Sequence, residues 1–284
     1  MVYRIPVPKE RLRKMPKDER VLFLLLGYAA NQLSMLKKLL NFATNRTPDA
    51  EIEQHATGAQ TQMLLRLMVG ALNEAWQLVT TRFIQNPLAK DYLGSLDPAG
   101  QQAFDALKRQ FGGSNLLNTV RNNYAFHYPS SDEAEAAFEA TFNDGELDDY
   151  WNLYFSQHGF NSLFFLSDLI FVHGIGKKAG GIDLEQTQRK LMGEVSAASA
   201  NLIEFAKAFV AAAWLKHFGA EMVAKDIVTV SDAPDVDEVW LPFFCRGLPR
   251  GAAGRPRCLM SLLSACHRRR SCWLFRHHNL MVCS

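Results

Sequence analysis

Residues 120–129, which read VRNNYAFHYP, hold the side chains best suited to chemistry in this chain. Arg121 is a cation that keeps its charge at any physiological pH, and its planar fork matches phosphate oxygens. His127, five intervening positions later, is the side-chain type that gives and takes protons near neutrality. Asn122 can hydrogen-bond the imidazole or a phosphate and so fix an orientation. Together they suit metal-free cleavage of RNA. His127 would activate the 2′-hydroxyl or protonate the leaving 5′-oxygen, and Arg121 would stabilise charge growing on the phosphate. Asn123 and Tyr128 are candidate supporting partners. On a straight helix six steps of about 100° set Arg121 and His127 roughly 120° apart. The site therefore needs a helix that ends or distorts before Pro129, an Arg side chain that wraps round, or two protomers sharing one cleft.

Other candidates carry less. The run His173-Gly174-Ile175-Gly176-Lys177-Lys178 has two glycines and two lysines but lacks the spacing, the Ser/Thr and the preceding strand of a phosphate loop. It reads as a helix C-terminus whose basic residues face the dipole. Glu146, Asp148 and Asp149 read as N-terminal charges of a helix before they read as a metal site. His158 and His173 read as core or boundary histidines, and His55 and His217 lack a partner at ligand spacing. Ser167-Asp168 has no nucleophile-elbow setting. The sequence calls for no metal and no cofactor.

These residues must be positioned by helices. Apolar side chains recur at three- and four-residue spacing from residue 17 to about 221. The pattern predicts helices over 17–45, 49–85 (with Gly58 or Gly70 as bend points), 97–111, 115–128, 131–142, 148–174 and 183–218. Pro48 suits a first turn, Asp97-Pro98 opens a helix, Gly112-Gly113 closes one, and Ser114 caps the next. Only residues 227–230 read as strand. The aromatics of 239–244 read as an extended arm docked on the helical body. The fold class is all-α, a helical bundle divided into an N-terminal arm (1–16), a helical domain (17–225), a C-terminal arm (226–245) and a basic tail (246–284).

The tail differs in composition from everything before it. It carries eight Arg, no Lys and no acid, whereas the other 23 basic residues and all 29 acids leave residues 1–245 at about −6. Its Arg- and Cys-rich composition reads first as an out-of-frame translation. A basic nucleic-acid-binding tail and a zinc site from Cys258, Cys266, His267, Cys272, His277 and Cys283 are the alternatives, the last without paired C-x2-C spacing. The cysteine-free first 244 residues, and the lack of a 20-residue apolar run, predict a cytoplasmic protein with no membrane span.

Arg121, Asn122 and His127, in an all-helical setting, resemble the HEPN (higher eukaryotes and prokaryotes nucleotide-binding) superfamily. Its hallmark is Arg, a polar residue that is often Asn, then His after four to six positions. The resemblance implies a helical bundle with a HEPN-like core, which dimerises so that two motifs face one cleft. It implies a metal-independent endoribonuclease acting on RNA, in some members with an antitoxin-type protein partner. It also admits members that bind nucleotide or RNA without cleaving it. Beside it stands a structural reading. Arg121 would pair with an acid such as Glu133 or Glu135, His127 would cap a helix, and Tyr124, Phe126 and Tyr128 would be core aromatics.

Overall fold

The computed structural model describes residues 2–113, 116–121, 128–143, 151–157, 161–178, 180, 184–219 and 226–245. Nine α-helices lie among them, with one two-stranded sheet, so the chain is an all-α helical bundle. Residues 1–245 form one compact unit. The readings made for residues 246–284, the zinc ligands included, lie outside the described residues.

The long helices follow the apolar spacing. Helix α2 (Lys17–Thr44) buries Leu22, Leu26, Leu33 and Leu40 on one stripe. Helix α3 (Glu51–Val79) lies against it and buries Leu65, Met68, Val69, Leu72 and Val79. Gly58 and Gly70 both lie within α3, and the irregularity comes later, at Thr80–Ile84. There the Gln85 N–H donates to the Thr80 carbonyl at 3.0 Å, five residues back, which widens the last turn into a π-helix. A short α4 (Leu88–Tyr92) follows, without any periodic signal in the sequence. Helix α5 (Pro98–Phe111) opens on Asp97, whose carboxylate accepts from the Gly100 N–H at 2.7 Å.

Helix α9 (Leu184–Phe218) is the axis of the core, packing on α2, α3 and α5. Among the described residues it alone is long and apolar enough to cross a membrane. Its apolar stripe, Val195, Leu202, Phe205 and Phe209, is fully buried in the protein. Phe83 meets Phe104, Phe205 and Phe209 edge-on at centroid distances of 5.5, 5.2 and 5.9 Å. Burying each ring removes it from water at a gain of about 1.5–3 kcal/mol. Gly100 lets α5 approach α9 closely: a Cβ on it would lie 2.2 Å from the Ala208 Cβ.

The remaining elements include one correction. Helix α6 (Leu116–Val120) and α7 (Ser131–Phe142) fall where the sequence puts helices. The helix predicted over 148–174 does not. Tyr154 and Leu163 exchange backbone hydrogen bonds of 2.8 Å each, as extended segments do, and α8 starts only at Phe165 and runs to Lys178. The aromatics of that stretch imitate a helical stripe but pack on one another, as Phe155 on Phe164 at 5.5 Å. The N-terminal arm is also more than an arm. Strand β1 (Val2–Arg4) pairs antiparallel with β2 (Asp226–Val228), and α1 (Lys9–Lys14) follows. The C-terminal arm docks as its aromatics suggest: Leu241 N–H donates to the Phe42 carbonyl at 2.9 Å, and Arg46 lies 5.1 Å over Trp240.

Candidate functional site

Helix α6 is short, and its Leu116, Leu117 and Val120 are all buried. Those three anchors position the next residue, Arg121, whose side chain is 39% exposed. Its Nη2 lies 3.7 Å from a carboxylate oxygen of Glu74 on α3. The acids named from sequence are engaged elsewhere or not paired with it. Glu133 closes a capping box with Ser130 at the start of α7 and accepts from Lys178 Nζ at 2.7 Å. Those hydrogen bonds, from Lys178 first and then Ser130, hold its carboxyl down at about 2. Tyr128 is 97% exposed and so is no core aromatic. Asn122, Asn123 and His127, with Tyr124 and Phe126, lie outside the described residues, as do His158 and the acids at 146, 148 and 149.

The glycine-lysine run takes the place expected of a helix end. His173, Gly174 and Gly176 are buried inside α8, and Lys177 and Lys178 form its last turn. Among the described residues no three His, Cys, Asp or Glu side chains group as a metal site.

Two polar clusters have no counterpart in the sequence reading. In the first, the buried carboxylate of Glu19 on α2 accepts hydrogen bonds from Tyr92, His217 and Lys216, the Lys216 contact at 3.0 Å. Burial alone would raise the Glu19 carboxyl, and these donors outweigh it, so the group titrates below the usual carboxylate range. Tyr92 shifts the opposite way, through burial and then its bond to the Glu19 anion. In the second, Arg66 on α3 donates to Asp168 on α8 at 3.0 Å. Nearby, the His55 ring stacks on Phe165 at 3.8 Å and 6°, and its Nδ1 lies 2.8 Å from the Tyr154 hydroxyl. Burial pushes the Asp168 carboxyl up, with Arg66 opposing. His55 and His217 thus have partners 99 and 198 residues away along the chain, which no local spacing could reveal.

The chain matches no family model, no curated protein and no solved structure.

Proposed function

We propose that this chain is a metal-independent endoribonuclease of HEPN type, with Arg121, Asn122 and His127 as its catalytic residues. Asn123 and Tyr128 support them. The observation that carries the reading is the position of Arg121: a half-exposed guanidinium next to α6 in an all-α bundle. A cation held there by three buried neighbours can meet an RNA phosphate without reorganising the core. In this reading His127 moves the proton, Asn122 orients the imidazole, and no metal or cofactor takes part. Two protomers bring their motifs to one cleft, in the cytoplasm, and an antitoxin-type protein is a fitting partner.

One observation favours a second reading. The carboxylate of Glu74 lies 3.7 Å from Arg121 and competes with any phosphate for it. That supports a non-catalytic helical module that binds nucleotide, RNA or protein through the same residues. The test is incubation of the full chain with end-labelled RNA in excess EDTA, beside Arg121→Ala and His127→Ala. Products ending in 2′,3′-cyclic phosphate from the parent protein alone support the ribonuclease. Intact RNA throughout, from folded protein, leaves the binding module.

A further inference from the structure

The second polar cluster borders a cavity of about 150 Å³ between α3, α8 and α9. An apolar cavity of about that size accepts one benzene-sized ring. Four features of its wall specify more than an apolar hole. Gln62 lines it with a side-chain amide and is only 5% exposed. That amide offers an occupant both a donor and an acceptor. Asp168 lines it too, and only one of its oxygens is held by Arg66. Phe165, backed by the parallel His55 ring, supplies a flat aromatic wall. Gly58, also in the lining, leaves the floor open: nothing lies within 4 Å of where its Cβ would stand.

Arg66 already offsets the charge of Asp168, so the cavity does not call for a charged ligand. It calls for a flat ring with an N–H for the second Asp168 oxygen and a donor or acceptor for the Gln62 amide. From this arrangement we propose that the cavity is a binding site for a small, neutral, single-ring nitrogen heterocycle carrying an amino group. The site is separate from Arg121 and does not rest on the ribonuclease reading.

The probe is 2-aminopyrimidine, titrated into the full chain and followed by protein NMR, with benzene as the apolar comparison. The expected result is saturable binding with Kd on the order of 1 mM or tighter, as suits seven heavy atoms, and tighter than benzene. Gln62→Leu should weaken the probe roughly tenfold, the worth of one hydrogen bond, and leave benzene binding at least as strong. Gly58→Leu should fill the floor and abolish binding of both while the melting temperature holds or rises, since glycine is a poor helix former. Absence of saturable 2-aminopyrimidine binding overturns the proposal. So does benzene binding as tightly as the probe, or probe binding indifferent to Gln62→Leu and Gly58→Leu.

Discussion

The hydroxyl of Tyr92, at the end of α4, donates to the buried carboxylate of Glu19 in the first turn of α2. The bond joins a short helix with no periodic signal to one of the longest in the bundle. Lys216 adds its ammonium, 4.6 Å over the Tyr92 ring and 3.0 Å from the second Glu19 oxygen. Removing only the hydroxyl leaves the ring packed and takes one charge-assisted bond from a buried anion. Tyr92→Phe is therefore expected to lower stability by about 2 kcal/mol, read by urea denaturation at pH 7.

The same carboxylate sets a pH dependence. Its folded-state titration lies below the unfolded value, near 4.5, so its contribution is whole above that value and drains away as pH falls through the folded one. Glu133 and Asp105 are lowered as well, while Asp168 and Glu194 are shifted upward by burial and act in the opposite sense, so the whole-protein profile mixes them all. The difference between the parent protein and Glu19→Gln isolates the Glu19 contribution. It should be about 3 kcal/mol at pH 7 and shrink steadily below pH 4.5. A difference that stays flat down to pH 3 contradicts the assignment.

The contact of α5 with α9 is set by one missing methyl group. Gly100→Ala would place its Cβ 2.2 Å from that of Ala208, closer than the two carbons can stand. Overpacking of this kind costs about 1–3 kcal/mol. Gly100→Ala with Ala208→Gly should recover most of the loss, because the nearest remaining α9 atom, the Ala208 Cα, is then 3.7 Å away. A double-mutant cycle measures the coupling directly; simple additivity would disprove the contact.

Glu74→Gln tests the competitor of Arg121. The pair is exposed, 39% at Arg121 and 63% at Glu74, so its loss should shift stability by under about 0.5 kcal/mol. RNA affinity, measured by fluorescence anisotropy at low salt, should rise severalfold if Arg121 meets phosphate. Unchanged affinity would place Arg121 outside the RNA contact.

The parts of this fold written locally were legible in the sequence. Asp97-Pro98 and Gly112 mark α5 almost to the residue, because a cap and a terminator act within one turn. The apolar spacing of α2, α3 and α9 likewise survives in their buried stripes. What failed depended on distance along the chain. The aromatics of 151–164 suit a helix until Tyr154 meets Leu163. Glu19 reads as a first-turn acid until α9 brings His217 and Lys216 to it. At the candidate site, the helix that carries Arg121 follows from sequence, whereas Glu74 faces it only through the packing of α6 on α3.

The pairing of β1 with β2 has a consequence for synthesis. Val2–Arg4 are translated more than two hundred codons before their partners Asp226–Val228. At about 5–20 residues per second, that strand waits roughly 10–45 s before it can pair. Val2 and Tyr3 stay accessible to any chaperone or edge-seeking chain for the whole interval. Closure of the β1–β2 clasp therefore waits until α1–α9 have all been made, and a ribosome stalled before Asp226 holds a bundle whose strand β1 lacks β2 to pair with.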